Sequence, residues 1–356
     1  MQVVAKDNDT KKRLVVDLSF PPNTSVNIGI SNEHFLDQRI DLHYPSVHTL
    51  AKYVRIKGKG CLMFKTDLKS AYKQIPIQPN DWHLCAISWK NAFYVYVREI
   101  FGLRSSAYAC QRTISCIPYL MRKYSYLVCS YLDDIAGAES VNKASLALLT
   151  LQNLLGSLNL IENPDKVTLP ATKMIFLGIL LNSEDFTMTI PEQKLYEIRI
   201  LLNQWLSYIT CTLKQLQSLI GKLQHISCCI RGGRIFINRL LNLLREANAH
   251  DEKQHIPLSQ ELKRELHFWF TLMTNFNGVS IMSELEWTAV DDIFASDASS
   301  HGAGGVNFEN KTYFKIEFHA PFTDYPIHVL ELLTLIACCK VWGKLWAGKK
   351  NHGTLR

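Results

Sequence analysis

The sequence has no apolar run long enough to cross a membrane and no targeting segment at its start. Its longest apolar stretches, such as Met174 to Leu181, are far shorter than the roughly 20 residues that a membrane helix needs. Residues 1–12 are polar and contain no apolar signal core. No internal repeat or low-complexity tract is visible. These absences argue against a membrane protein, and we expect an intracellular, soluble protein of the cytoplasm or nucleus.

Cysteine is present, but the spacing that binds zinc is absent. The ten cysteines are scattered, with adjacent pairs at Cys228-Cys229 and Cys338-Cys339 and no Cys-x-x-Cys motif. This pattern argues against a zinc site and against a secreted disulfide framework. We therefore predict free thiols, mostly buried, in a reducing compartment.

Composition bounds the class of protein without identifying it. The 356 residues suffice for two or three domains, and 47% hydrophobic with 20% charged residues is typical of a globular chain. The formal net charge is +7. Such a mild basic excess permits a nucleic-acid partner but does not establish one.

Hydrophobic periodicity predicts an α+β region followed by a helical region and a small mixed region. From Cys61 to Leu181 strands and helices alternate, with strands predicted at 61–67, 84–97, 126–138 and 173–181 and helices at 105–124 and 140–158. A helical period follows from Ile190 to about Arg245. Strands return after about residue 285, and a last helix is predicted from His328 to Trp346.

Two adjacent carboxylates interrupt an apolar run at Tyr131-Leu132-Asp133-Asp134. The flanking residues are β-branched or aromatic and Asp-Asp favours a turn, so we predict a hairpin with both acids at its tip. A second strand, predicted at 61–67, also ends in an acid, Asp67. Three converging carboxylates form the kind of site that binds two divalent metals for phosphoryl transfer. Taken alone, the Asp-Asp pair is more often a solvated turn, and Asp67 without Asp133 is more often an exposed acid at a strand end.

Five motifs follow one another in a fixed order along the chain. They are Thr66-Asp67-Leu68-Lys69-Ser70-Ala71-Tyr72, Ile100-Phe101-Gly102-Leu103-Arg104-Ser105-Ser106-Ala107, Tyr131-Leu132-Asp133-Asp134, Asn163-Pro164-Asp165-Lys166 and Phe176-Leu177-Gly178. In this order they resemble the motifs of retroelement reverse transcriptases. The likeness is strongest to tyrosine-recombinase (DIRS-type) retrotransposon polymerases, with hepadnaviral and gypsy-type polymerases more distant. It covers nearly the whole chain.

The resemblance implies a catalytic and metal-binding role for three acids. By this resemblance, Asp67 and Asp133 would bridge two Mg²⁺ ions, or Mn²⁺ in their place, with Asp134 supporting or joining them. Lys166 donates a proton to the departing pyrophosphate. The alternative from the residues alone is a surface lysine beside a proline turn.

The resemblance also implies a deoxynucleotide pocket. Arg13, with Lys6 as a second cation, grips the triphosphate. Tyr72 places a ring where it clashes with a 2′-hydroxyl, Phe101 packs on the nucleotide, and Gly102 permits close backbone approach. Each has an ordinary alternative: a solvated basic run, a core tyrosine or a plain turn glycine. The family's usual proline and phenylalanine are absent, since the chain has Ile100, Ala107 and Cys110.

The helical region carries an apolar stripe and a set of cations. Thr212-Leu213-Lys214-Gln215 is a capping-box signature, and the stripe comprises Leu213, Leu216, Leu219, Ile220, Leu223 and Ile226. We interpret the stripe as a core face. The cations off the stripe include the predicted nucleic-acid contacts Lys214, Lys222, Arg231 and Arg234. A solvated face explains them about as well as phosphate contacts do.

In the last region, the segment from Ala295 to Gly305 resembles the opening of a ribonuclease H domain: a strand, an Asp and a glycine-rich turn. The resemblance implies that Asp297 and Glu331 are metal ligands. The family's further carboxylates would follow beyond Arg356, so we expect an incomplete nuclease site with little or no hybrid cleavage. We also expect exposed apolar side chains on the last helix, namely Leu332, Leu333, Ile336 and Trp342.

Together these expectations describe a right-hand polymerase fold of the α+β class followed by a partial ribonuclease H-like α/β domain. Fingers and palm cover 1–188, a helical thumb and connection 189–285, and the partial domain 286–356. The expected function is RNA-directed DNA polymerase, with a primed RNA or DNA template and deoxynucleoside triphosphates as partners. Two alternatives stay open: an RNA-copying RNA polymerase, and a decayed or repurposed fragment that binds nucleic acid without catalysis.

Overall fold

The computed structural model describes residues 2–6, 11–35, 38–41, 44–230, 233–247, 255–275, 277–281, 292–346 and 351–355, with side chains outside this description for 2–6, 11–15, 280 and most of 351–355. The chain divides into two compact units, Met1–Ile281 and Met282–Arg356. All ten cysteines are free thiols and most are buried, as predicted.

The larger unit contains 16 described strands and eight described helices. The strands are β1 (Gln2–Lys6), β2 (Lys11–Val15), β3 (His34–Phe35), β4 (Gln38–Arg39), β5 (Leu62–Asp67), β6 (Ala86–Trp89), β7 (Ala92–Val95), β8 (Leu127–Tyr131), β9 (Asp134–Glu139), β10 (Thr168–Ala171), β11 (Lys173–Phe176), β12 (Ile179–Asn182), β13 (Thr187–Thr189), β14 (Thr210–Thr212), β15 (His255–Pro257) and β16 (Val279–Ser280). The helices are α1 (Val47–Lys57), α2 (Ser106–Ile114), α3 (Cys116–Lys123), α4 (Ala144–Ser157), α5 (Glu192–Ser207), α6 (Leu213–Ile226), α7 (Asn238–Glu246) and α8 (Gln260–Asn275).

A four-stranded antiparallel sheet of order β10-β5-β9-β8 lies at the centre of this unit. Alternate side chains of a strand point to opposite faces. Met63 of β5 accordingly joins one hydrophobic cluster, together with α1, while its neighbour Phe64 joins another, together with α2, α3 and α4. Because both faces of the sheet are covered, its strands read as apolar runs, and a carboxylate at their ends stands out.

The region after residue 190 is helical, as predicted, and packs beside a second antiparallel sheet of order β11-β12-β13-β16. At the start of α6, the Thr212 hydroxyl accepts from the Gln215 backbone N–H at 3.3 Å, and the Gln215 side chain accepts from the Thr212 N–H at 2.8 Å. This is the predicted capping box. The stripe of α6 is buried along its whole length, which confirms its interpretation as a core face.

Three predicted elements are divided by turns that the periodicity did not reveal. Residues 84–97 form a 3₁₀ turn and the β6–β7 hairpin, because Lys90 and Asn91 take left-handed backbone angles of 49° and 62°. The strand predicted at 173–181 is likewise the β11–β12 hairpin. The helix predicted at 105–124 breaks at Ser115, since Pro118 has no N–H to donate to the preceding turn.

The smaller unit is a four-stranded sheet covered by one long helix. Its elements are β17 (Asp292–Ala298), β18 (Gly302–Asn307), β19 (Thr312–Glu317), α9 (Ile327–Trp346) and β20 (Asn351–Leu355). The sheet order is β19-β18-β17-β20, and only β20 runs parallel to its neighbour among these strands. Leu332 and Ile336 of α9 are exposed as expected. Trp342 is buried, contrary to expectation, because it packs against Phe294 and Phe314 of the sheet.

Among the described helices, none combines the length and the apolar character required to cross a lipid bilayer.

Candidate active site

The pairing of β5 with β9 brings three acids together at one end of the strands of the central sheet. Asp67, the last residue of β5, lies directly opposite Asp134, the first residue of β9. Asp133 occupies the two-residue turn between β8 and β9, and its carbonyl accepts from the Leu68 N–H at 2.9 Å. Asp67 and Asp133, which are 66 positions apart in sequence, therefore lie at the same end of the sheet. The predicted hairpin is present: Asp133 lies in its turn, and Asp134 is the first residue of its second strand.

The three carboxylates share one electrostatic environment. Burial raises the pKa of Asp133, and the negative charges of Asp67 and Asp134 raise it further. Two lysines offset this charge. The Lys166 ammonium lies 2.8 Å from Asp67 Oδ2, and the Lys65 ammonium lies 3.5 Å from Asp134 Oδ1. The two lysines pair with Asp67 and Asp134, so the negative charge of the three carboxylates is only partly neutralised.

Lys166 reaches Asp67 because the segment before it is fastened to the end of β5. The Asp67 carbonyl accepts from the Asn163 N–H at 2.7 Å, and the Ile161 carbonyl accepts from the Lys69 N–H at 2.9 Å. The hydrogen bond to Asp67 raises the pKa of Lys166. Lys166 is therefore protonated in the site, and its side chain is about half exposed to solvent.

Whether these residues fit a divalent metal depends on what completes the ligand set. In the described parts of the chain, no three His, Cys, Asp or Glu side chains are already arranged around one metal position. Mg²⁺ usually takes only one or two protein carboxylates and completes its shell with water and substrate phosphates. Burial, and after it the charges of Asp67 and Asp134, raise the pKa of Asp133, and a bound cation would stabilise its ionised form. Asp67, Asp133 and Asp134 therefore fit a magnesium site that substrate completes.

Among the predicted pocket residues, Tyr72 lies near Asp133 and contacts Phe101. The rings of Tyr72 and Phe101 meet edge to face with centroids 4.7 Å apart. Burial, with Cys110, Tyr44 and Asp133 nearby, raises the pKa of Tyr72 to about 12. Gly102 has a φ of 99°, and a Cβ there would lie 2.8 Å from the Val16 carbonyl oxygen. Only glycine suits this turn without strain.

Two amide side chains in this region were not predicted. The Asn27 side chain donates to the Gly102 carbonyl at 2.8 Å and accepts from the Arg104 N–H at 2.8 Å, so it holds the pocket turn. Gln111, on α2, binds the backbone of the turn that carries Asp133. For Gln111 the available sequence signal was a polar residue within the predicted helix 105–124, and Asn27 carried no such signal. Such residues are buried only when they find hydrogen-bond partners.

The predicted triphosphate cations are described only by their backbone. β1 and β2 form an antiparallel hairpin in which Arg13 pairs with Val4 and Lys6 with Lys11. The side chains of Arg13 and Lys6 lie outside the described part of the structure, so their roles stay predictions.

The predicted nucleic-acid contacts are partly described. Lys214 and Lys222 are exposed on α6, and Arg234 is exposed in the 3₁₀ turn Gly233–Ile237. Within the described part of the chain, none of the three is in an ion pair with a carboxylate. Arg231 lies outside the described residues.

In the smaller unit, Asp297 is exposed near the end of β17 and lines an open cleft of about 590 Å³ with His301, Lys315 and Glu317. Glu331 is half-buried on α9, which packs on β17, but it is not among the residues that line this cleft. The metal-binding roles of Asp297 and Glu331 stay predictions.

Comparison with known proteins identifies a family for the region that contains the three acids. Residues 19–181, somewhat less than half of the chain, match the family model for reverse transcriptase (RNA-dependent DNA polymerase). The match includes Asp67, Asp133, Asp134 and Lys166 and supports a reverse transcriptase domain in this part of the chain. No curated protein matches the chain significantly.

Solved structures of a foamy viral protease-reverse transcriptase have a similar fold. One, in complex with double-stranded DNA, has a TM-score of 0.59 at 17% identity and another a TM-score of 0.61 at 16% identity. A third, in complex with an RNA/DNA hybrid, has a TM-score of 0.57 at 17% identity. Each comparison covers 99% of this chain, but 57%, 68% and 44% of the respective viral chains. At these identities the likeness shows a shared mixed α/β fold.

Proposed function

We propose that this chain is an RNA-directed DNA polymerase that adds deoxynucleotides to a primer 3′-hydroxyl. The observation that carries the proposal is the convergence of Asp67, Asp133 and Asp134 at one end of the central sheet. This sheet lies within the region that matches the family model. The proposal includes a right-hand arrangement with fingers and palm up to residue 188 and a thumb from 189 to 285. The likeness to DIRS-type retrotransposon polymerases is part of the same proposal.

The residues of the site divide the chemical work. Asp67 and Asp133 would hold two Mg²⁺ ions, with Asp134 beside them. When bound, the metal supplies activation of the primer hydroxyl and neutralises charge on the triphosphate. Tyr72 and Phe101 shape the sugar site, and the Gly102 turn lets the backbone approach the nucleotide. Lys166, which holds its proton beside Asp67, donates it to the departing pyrophosphate.

Primer extension on a poly-rA template with an oligo-dT primer tests this proposal. We expect incorporation of deoxythymidine in the presence of Mg²⁺ or Mn²⁺. Incorporation of ribonucleotides in preference would instead support the RNA-polymerase alternative. Tight binding of the primer–template without extension would support the non-catalytic alternative.

The exposed cations of the helical region predict a salt-dependent grip on the primer–template. Each phosphate neutralised by a Lys or Arg contributes about 0.9 to the slope of log K against log salt for a duplex. Replacing the four cations by Ala should reduce this slope by about 3 to 4, as measured by fluorescence anisotropy across a salt series. The four are Lys214, Lys222, Arg231 and Arg234.

A control with the same loss of net charge separates contact from general attraction. It replaces four exposed lysines elsewhere, namely Lys52, Lys143, Lys311 and Lys340. We expect its slope to stay close to that of the unmodified protein. An equal slope change in both variants would mean that the four cations only form a solvated face.

We further propose that the smaller unit is ribonuclease H-like. The supporting observations are its strand order, the parallel pairing of β17 with β20 after a crossover helix, and an acid near the end of β17. In this proposal Asp297 and Glu331 are metal ligands across the strand–helix pair. Two carboxylates by themselves would bind metal weakly.

This assignment predicts a weak second manganese site. In a background in which Asp67 and Asp133 are both Asn, electron paramagnetic resonance should detect residual Mn²⁺ binding that Asp297→Asn removes. Asp324→Asn, an exposed acid of the same unit, serves as the control. Equal binding by the Asp297 and Asp324 variants would refute the role of Asp297.

A further inference from the structure

Gln111 joins the helix after the pocket turn to the turn that carries Asp133. Its side chain is 1% exposed and makes two hydrogen bonds to backbone groups around that turn. The Gln111 amide donates to the Ser130 carbonyl at 2.8 Å, and its carbonyl accepts from the Leu132 N–H at 2.7 Å. One buried side chain thus binds β8 and the turn at the same time.

The Leu132 backbone explains why the turn needs an external partner. Leu132 has a φ of 51°, in the left-handed region that favours glycine over a residue with a bulky side chain. The hydrogen bond from the Leu132 N–H to the Gln111 side chain offsets part of the free-energy cost of this conformation. Since Asp133 follows directly in the chain, the conformation of Leu132 sets the path of the backbone that carries the Asp133 carboxylate.

From these contacts we propose that Gln111 is a positioning residue that sets the Asp133 carboxylate for catalysis. The proposal rests on the proposed polymerase function and adds a role for a residue outside the acid motifs. α2 starts four residues after Gly102 and carries Gln111 in its second turn. One helix therefore links the Gly102 turn of the proposed nucleotide pocket to the turn that carries Asp133 and fixes the distance between them.

Steady-state kinetics of Gln111→Leu test the role. The variant leaves the Ser130 carbonyl and the Leu132 N–H without partners, so the turn relaxes and Asp133 shifts. We expect kcat to fall about a hundredfold, as expected for a misplacement of about 1 Å, while the KM for the deoxynucleotide changes less than about threefold. The Mg²⁺ concentration that gives half-maximal rate should rise, a result that a general loss of stability does not produce.

Asn277, at an exposed position away from the acids, provides a control. Its side chain also makes two hydrogen bonds to one backbone position, accepting from the Ile190 N–H and donating to the Ile190 carbonyl, both at 2.9 Å. Asn277→Leu removes two side-chain bonds to backbone groups away from the acids, whereas Gln111→Leu removes two such bonds and the 3.3 Å bond from Gln111 to the Ser115 hydroxyl. We expect kcat and the Mg²⁺ dependence of this variant to stay unchanged. If both variants lose activity equally, Gln111 is only structural.

Hydrogen exchange tests the contact without any activity. Lys90, with a φ of 49°, occupies the equivalent first turn position of the β6–β7 hairpin, and no side-chain acceptor for its N–H is described. In the unmodified protein the Leu132 amide should exchange about tenfold more slowly than that of Lys90 after correction for intrinsic rates. Equal exchange would overturn the proposal even if Gln111→Leu fails to fold. An inactive unmodified protein with a protected Leu132 amide would contradict the proposed polymerase function and leave the contact established.

Discussion

Replacing Asp133 by Asn is expected to reduce primer extension by at least about a thousandfold, because the carboxylate that would hold metal loses its charge. Metal-ion stabilisation of the transition state contributes several kcal/mol, and each 1.36 kcal/mol is a factor of ten in rate. Single-turnover extension with saturating deoxynucleotide measures the loss. Asp81→Asn, which neutralises an exposed acid in the 3₁₀ turn Pro79–Cys85, should extend primers at the unmodified rate.

The same substitution should not weaken the fold. Burial and the neighbouring carboxylates raise the pKa of Asp133. A carboxyl group whose pKa is higher in the folded state than in the unfolded chain destabilises the fold once it is ionised. At neutral pH, Asp133→Asn therefore removes an unfavourable charge, and its Tm in the absence of divalent metal should equal or exceed that of the unmodified protein.

Divalent metal should reverse this order. A ligand that binds only the native state raises its stability in proportion to the logarithm of its concentration. Mg²⁺ should raise the Tm of the unmodified protein and have a much smaller effect on Asp133→Asn. A variant that keeps both extension and the Mg²⁺-dependent Tm shift would exclude Asp133 as a metal ligand.

Replacing Tyr72 by Ala should open the pocket to ribonucleotides. The Tyr72 ring packs against Phe101 beside the acids, and its raised pKa of about 12 keeps the hydroxyl neutral at working pH. If this ring clashes with a 2′-hydroxyl, its removal should lower the preference for deoxynucleotides about a hundredfold, within the range of 1–3 kcal/mol that one steric feature of a pocket provides. The ratio of kcat/KM values for the two nucleotide types measures this preference.

Tyr72→Phe is the matched control for this experiment. It keeps the ring and removes only the hydroxyl, so the preference for deoxynucleotides should be retained. If Tyr72→Ala lowers kcat/KM equally for both nucleotide types, the ring is a packing residue and the sugar is selected elsewhere.

Much of the architecture followed from local patterns in the sequence. The period of α6, its capping box, and the alternation of strands and helices from Cys61 to Leu181 are properties of neighbouring residues, and the structure agrees with them. The pattern failed where one backbone angle decided the outcome. Leu177 and Gly178 take left-handed angles of 47° and 73° and divide one predicted strand into two. Hydrophobicity carries no information about such angles.

The sequence by itself determined which residue types are available for chemistry: an acid at the end of one strand, two acids at a hairpin tip, and a lysine beside a proline. Only the tertiary structure decided that they meet. The register that places Asp67 opposite Asp134, and the path that brings Lys166 within 2.8 Å of Asp67, join parts of the chain far apart in sequence. The partners of Gln111 were equally hidden, because a hydrogen bond depends on distance and direction in space, and separation along the chain specifies neither.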